Sequence, residues 1–208
     1  MEDLSEEAIK KNCPHCNISS QAFEFILENT KNFYIICDAN PLVEGHILII
    51  PKKHLTCVGA YTNELLQEFL ELNKKVSKFI LDNYNSIASF EHGIFGQTVF
   101  HSHIHYLPFS GEISNICKES SITKVNGLRD LKVLLDKDGG YLFFSIGNKL
   151  FSVNKKEAKP RYFRDKFAKA LGRRERGNWK KIRANMQLLI ECQKDCVNTQ
   201  KKWQKYYS

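Results

Sequence analysis

The chain has 208 residues, is 42% hydrophobic and carries a formal net charge of +8. That is enough apolar material for one sizeable core with a smaller appended unit, and no run of eighteen apolar residues exists to span a membrane. The charge is uneven: residues 155–208 hold seventeen Lys or Arg against five Asp or Glu, while residues 1–154 hold fourteen against eighteen. An acidic body with a basic C-terminal quarter points to an anionic partner, most simply one that bears phosphate; the plainer reading is a solvated helical surface.

The N-terminal stretch MEDLSEEAIKKNCPHC is acidic and polar, so it does not read as a secretory leader. With seven cysteines, an odd number, the expectation is a cytoplasmic chain with reduced thiols or metal ligands rather than a disulfide framework. Cys13-Pro14-His15-Cys16 has the spacing of a metal knuckle, which needs two further ligands. Phe33–Cys37 and His46–Ile50 are short, β-branched and apolar, and predict buried strands joined by the Pro- and Gly-punctuated DANPLVEG. Residues 63–84 place Leu65, Leu66, Phe69, Leu72, Val76, Phe79 and Ile80 at helical spacing behind a Thr62 N-cap. Ile87–Phe90 and Val99–Leu107 predict two more strands around EHGIFG. Beyond Phe109 the texture turns polar through residue 125. Tyr141–Val153 then reads as a hairpin about Gly147-Asn148, and Arg161–Leu171 and Trp179–Cys196 as helices. A boundary is expected near residue 115.

Three of seven histidines fall within QTVFHSHIHYLPF. In a strand, His101, His103 and His105 would line one face, roughly 7 Å between neighbours. Imidazole titrates near neutrality and serves as nucleophile, acid–base group or metal ligand.

The string His101-Ser102-His103-Ile104-His105-Tyr106-Leu107 resembles the histidine triad (HIT) motif, with Ser102 a polar exception. Gly96-Gln97-Thr98-Val99-Phe100 is similar to the glycine-glutamine run before that triad. Asn40–His54 resembles the upstream Pro…Gly-His…Ile-Pro-Lys-x-His segment, and Cys13–Cys16 the family's N-terminal Cys-x-x-Cys. The resemblance covers residues 13–109. It implies an α+β, HIT-like fold: an antiparallel sheet of about five strands with a long helix, usually paired as a homodimer. Residues 1–115 would form that unit, and residues 116–208 a basic C-terminal extension, a β-hairpin and helices, packed on it.

The resemblance also implies an enzyme that hydrolyses or transfers nucleotides at the α-phosphate. His103 falls on the nucleophile that forms a nucleotidyl-histidine intermediate, and a neighbour must fix its tautomer. His105 falls on a phosphate contact, and Gly96, Gln97 and Thr98 on phosphate donors. Asp38 lies near the ribose-contacting acidic position. One departure stands out: the small nucleoside-phosphoramidate hydrolases carry Asn where this chain has Phe90. Phe90-Glu91-His92-Gly93 is similar to a longer branch of the family with a C-terminal extension. Glu91 and His92 are candidates to replace the lost contact; the other reading makes both plain loop residues. In zinc-bearing relatives His101 and His54 complete the Cys13–Cys16 pair, which implies a structural zinc; the alternatives are a metal-free reduced pair or a disulfide.

Substrates implied are dinucleoside polyphosphates, nucleoside phosphoramidates or aminoacyl adenylates. The alternatives are a nucleic-acid-linked adenylate hydrolase or RNA-binding protein, suggested by the basic, aromatic C-terminal quarter, and a non-catalytic nucleotide sensor, suggested by Phe90. Arg161, Arg164 and their basic neighbours are candidates to reach the distal phosphates of a small ligand.

Overall fold

The computed structural model describes residues 12–208; the acidic stretch before Asn12 lies outside the described residues. The first half of the chain gives β1 (Ile26–Asn29), β2 (Phe33–Cys37), β3 (Ile47–Pro51), α1 (Asn63–Tyr84), β4 (Ala88–Gly93) and β5 (Ile104–Leu107). The second gives β6 (Ile122–Val125), α2 (Leu131–Asp138), β7 (Tyr141–Ile146), β8 (Lys149–Val153), α3 (Tyr162–Ala170), α4 (Trp179–Arg183) and α5 (Met186–Tyr207). The strands form one sheet in the order β1-β2-β3-β5-β4-β7-β8-β6, antiparallel throughout. This is an α+β fold whose first five strands match the expected number. The sheet reaches eight because β7 pairs with β4 along its whole length, from Ala88–Ile146 to Gly93–Tyr141.

Both faces of the sheet are covered, so its central strands are apolar on alternate sides. On one face α1 buries the seven residues of its predicted stripe against Phe33, Ile47, Tyr106 and Phe143. Thr62 caps the helix by accepting the Leu65 N–H. On the other face α3 packs Phe163 and Phe167 onto Phe90, Leu107 and Phe144. Adjacent residues Phe143 and Phe144 thus serve different cores, as strand alternation requires. The last helix, α5, crosses back to the first half: Trp203 packs edge-on against Phe79 and Gln200 donates to the Ile26 carbonyl. No described helix is long and apolar enough to cross a membrane.

Three elements depart from the sequence reading. The strand expected over Val99–Leu107 begins only at Ile104, because Ser102 N–H donates to Leu55 O and His101 N–H to Val99 O instead of to a neighbouring strand. Glu91 and His92, read as loop or site residues, lie inside β4 and are held there by β7. The helix expected over Trp179–Cys196 is two helices, broken at Asn185, whose side chain caps α5 through the Leu188 N–H. Sequence patterning missed β1, β6 and α2, which are short and half exposed, so their apolar period is faint.

Phe167 ties the halves together by stacking on Phe90 at 5.2 Å. Phe167→Ala is expected to cost about 3–5 kcal/mol, read as a lowered denaturation midpoint in urea; a loss below 1 kcal/mol would show that this contact does not anchor the extension.

Candidate active site

A cavity of about 310 Å³ opens where the two halves meet. His15, Asp38, His92, Gly96, Gln97, Thr98, His103 and His105 line it from the first half, and Arg161, Arg164, Trp179 and Arg183 from the second.

The hydrogen bonds assign the histidine protons. His103 Nδ1 lies 2.6 Å from the His101 carbonyl, which only accepts, so Nδ1 carries the proton and Nε2 keeps its lone pair. Leu42 N–H donates to His46 Nδ1 at 3.0 Å, so His46 is protonated on Nε2. That Nε2–H donates to His105 Nδ1 at 2.9 Å, which leaves the His105 proton on its own Nε2. His92 Nε2 accepts the Phe163 N–H at 3.3 Å, so its proton sits on Nδ1. Burial agrees with neutrality: it lowers His103 and His105, and pushes His46 down to about 4 and His92 to about 3. The cavity therefore offers one unprotonated ring nitrogen on His103 beside ring N–H donors on His105 and His92.

Asp38 follows β2, and its carboxylate meets Arg164 of α3 at 2.6 Å. Burial alone would raise its pKa, but Arg164 above all, then His46 and His105, hold it well below the ordinary carboxylate range. The other carboxylate oxygen accepts the Asn40 N–H. Asp38, expected near a ribose position, lines the cavity with its carboxylate on an arginine. Gly96 sits at φ +73° with room for no Cβ, since one would stand 2.5 Å from the Lys159 carbonyl. Gln97 donates to Thr56 O at 2.6 Å and keeps a buried Oε1 without a partner.

Four side chains converge around His101, two residues before His103. His101 Nε2 donates to Pro51 O at 2.8 Å, which leaves Nδ1 as a lone-pair donor. That Nδ1 is 3.5 Å from Cys13 Sγ and 3.4 Å from Cys16 Sγ, and Cys16 Sγ is 3.2 Å from His54 Nδ1. All four ligand atoms lie within 4.8 Å of one another. Zinc bonds of about 2.3 Å to sulfur and 2.0–2.1 Å to nitrogen put neighbouring S and N ligands about 3.6 Å apart on a tetrahedron. The donor set and its spacing therefore fit that ion. His101, expected as both catalytic and metal-ligating, faces the cysteines and does not line the cavity.

Four residues in or beside the cavity had no individual role in the sequence reading. His15 lies between the pair of cysteines, its ring 4.8 Å from that of His103. His46 was visible only as the Gly45-His46 dipeptide. Trp179 and Arg183 stood out as aromatic or basic, but nothing in their spacing placed them beside a histidine more than seventy residues earlier.

A family model described as the HIT domain matches residues 19–111. The chain is 35% identical over 106 residues to the adenosine 5'-monophosphoramidase HNT1 of Saccharomyces cerevisiae, a match covering 50% of this chain and 66% of that protein. It is 30% identical over 118 residues to the adenosine 5'-monophosphoramidase HINT3 of Danio rerio, covering 52% of this chain and 72% of that one. Among solved structures, a HIT family protein from Bacillus anthracis is 27% identical, with a TM-score of 0.42 over 49% of this chain and 75% of that chain.

Besides His101, Glu91 is an expected site residue that does not line the cavity. It points to the α1 face, fully buried, and accepts from Tyr141 Oη at 2.5 Å, Ser102 Oγ at 2.9 Å and Val58 N at 3.0 Å. It braces the residue between His101 and His103 rather than a ligand. Burial raises its pKa from 4.5 to about 7 despite those bonds. Between these two values the folded chain holds a proton that the unfolded chain has released, so stability falls as pH rises through that window. Glu91→Gln is expected to flatten this fall, worth about 3 kcal/mol across the window. Urea denaturation from pH 4.5 to 7 checks it; the same slope in both proteins would rule the assignment out.

Proposed function

The chain belongs to the HIT family, and from that premise we propose that it hydrolyses or transfers nucleotides, with His103 attacking the α-phosphorus of a nucleotide conjugate. The observation that carries this reading is the bond from His103 Nδ1–H to the His101 carbonyl, which leaves Nε2 unprotonated on a cavity wall. A neutral, oriented imidazole is what nucleophilic attack requires.

In the first step the Nε2 lone pair forms a bond to phosphorus, and the bond from phosphorus to the leaving group breaks with its electron pair going to that group. The phosphorylated ring becomes cationic, and its Nδ1–H stays anchored on the carbonyl. In the second step water, or another acceptor, attacks phosphorus from the opposite side. The P–N bond breaks, Nε2 regains its pair, the proton lost by the acceptor passes to solvent, and the nucleotide leaves. His105 Nε2–H, and the backbone and side chains of Gly96, Gln97 and Thr98, supply donors for the non-bridging oxygens. The relatives whose names record phosphoramidase activity support the reaction class.

On this reading Cys13, Cys16, His54 and His101 hold a structural zinc. It would clamp the segment around Cys13 and Cys16 to the stretch before β5 that carries His103, with no part in activating water. A homodimer, if formed, uses a surface other than the β4 edge, which β7 occupies. The nucleic-acid reading is weakened by two arginines of the basic quarter that are buried in ion pairs, Arg164 with Asp38 and Arg176 with Asp195 and Glu191.

His103→Asn is expected to keep the fold and lose on the order of a thousandfold or more in turnover of adenosine phosphoramidate, followed as AMP release; wild-type rates in that variant would sink the mechanism. Metal analysis of tag-free protein is expected to find one zinc per chain, and Cys16→Ser to lower both the zinc content and the melting temperature. Unchanged metal content in that variant would remove zinc from these four residues.

A further inference from the structure

All the buried side-chain polar atoms without a hydrogen-bond partner, among the described residues, belong to residues that line one cavity: His15 Nδ1, Gln97 Oε1, Arg161 Nε and Arg164 Nε. Buried polar atoms are almost always satisfied, so such a concentration marks a place where a ligand supplies the missing bonds. Two of the four are guanidinium N–H groups from α3, on the extension. Arg164 is itself 8% exposed, and its other nitrogens are taken by Asp38 and by the carbonyls of Asn40 and Arg176.

Arg161 adds a second sign. It caps α3 at φ +63°, a left-handed conformation that residues other than glycine rarely adopt, and strain of this kind collects where a side chain must be aimed. Its side chain is 30% exposed and its nearest acid, Asp165, is 3.7 Å away, too far for a hydrogen bond. Across the same cavity Arg183 lies over the Trp179 ring at 4.9 Å, so a third guanidinium is held in place by an aromatic face.

We infer that Arg161 and Arg183, with Trp179 positioning the latter, form a leaving-group subsite that selects nucleotide conjugates whose leaving group is a phosphate or polyphosphate. The inference rests on the nucleotidyl-transfer reading above. The chemistry of departure favours it. When the P–O bond to a polyphosphate breaks, the leaving oxygen takes the pair and departs as an anion, which needs cations but no proton. An amine leaving from a phosphoramidate must gain a proton. Arginines supply charge and forked N–H donors suited to phosphate oxygens, yet they do not give up protons. Two ring nitrogens that might do so are spoken for: His92 Nε2 and His105 Nδ1 both accept hydrogen bonds, so neither of these rings is an imidazolium.

The test is calorimetric titration of the full chain carrying His103→Asn, so that no turnover intervenes, with AMP, ADP and ATP at one salt concentration. ATP is expected to bind about tenfold to a hundredfold tighter than AMP. Adding Arg161→Ala and Arg183→Ala should abolish that gain, and Arg183→Ala alone, at an exposed position on a short helix, should remove part of it without disturbing the circular dichroism. Equal affinity for AMP and ATP in the parent, or a gain that survives both substitutions, overturns the subsite. A separate incubation of wild-type chain with α-labelled ATP reads the nucleophile. A phosphate-dependent gain without label on His103 leaves the subsite standing and refutes the transfer reading. Label on His103 without the gain does the reverse.

Discussion

Arg164 and Asp38 meet at 2.6 Å with both side chains almost withdrawn from water, and the rest of the molecule is arranged so that this pair is tolerable. Desolvating two charges costs several kcal/mol per ion, recovered only when the remaining donors and acceptors are also satisfied. Here Asn40 supplies an N–H to the carboxylate and two carbonyls to the guanidinium come from Asn40 and Arg176, which leaves the Arg164 Nε–H as the one unmet donor of the pair. Arg176 is in turn held by Asp195 and Glu191 of α5. One ion pair thus binds the end of β2 to α3, α3 to the turn before α4, and that turn to the last helix. Beside it, His46 and His105 stay neutral because their ring nitrogens are committed to one another and to a backbone N–H.

Phe90 gains its meaning from the same junction. As a substitution for a polar residue it looked like a loss. In the folded chain its ring stacks on His105 at 4.2 Å on one side and on Phe167 at 5.2 Å on the other. A polar side chain would interrupt this pile of rings, which carries the position of α3 directly to a histidine of the triad. The extension therefore packs on Phe90 and brings guanidinium groups to the cavity.

What the sequence made legible follows from how local each signal is. The long helix, its Thr62 cap and the hairpin at Gly147-Asn148 are short-range patterns, and they stand where they were expected. The grouping of Cys13 and Cys16 with His54 and His101 came from motif resemblance, because nothing in spacing alone joins residues more than eighty positions apart. Glu91 was misread because its neighbours His92 and Gly93 suggested a loop, whereas pairing with β7, some fifty residues later, makes the whole segment a strand and turns the carboxyl to the opposite face. The extension's share of the cavity was legible only in part: Arg161 and Arg164 stood out as phosphate candidates, but that they share a cavity with Trp179 and Arg183 is set by long-range packing.

The pairing of β4 with β7 also sets the order in which this molecule can become itself. A ribosome releases β4 with its outer edge bare, and the strand that completes it arrives only after β6 and α2 have been made. The rings that cover Phe90 follow later still, and so does Trp203, which packs on Phe79. Contacts of such long sequence separation pay their loop-closure entropy before they return any stability. A nascent chain already carries all three triad histidines, yet it lacks every arginine of the cavity. The cavity wall opposite His103 is therefore incomplete until the segments that carry Arg161, Arg164 and Arg183 have docked.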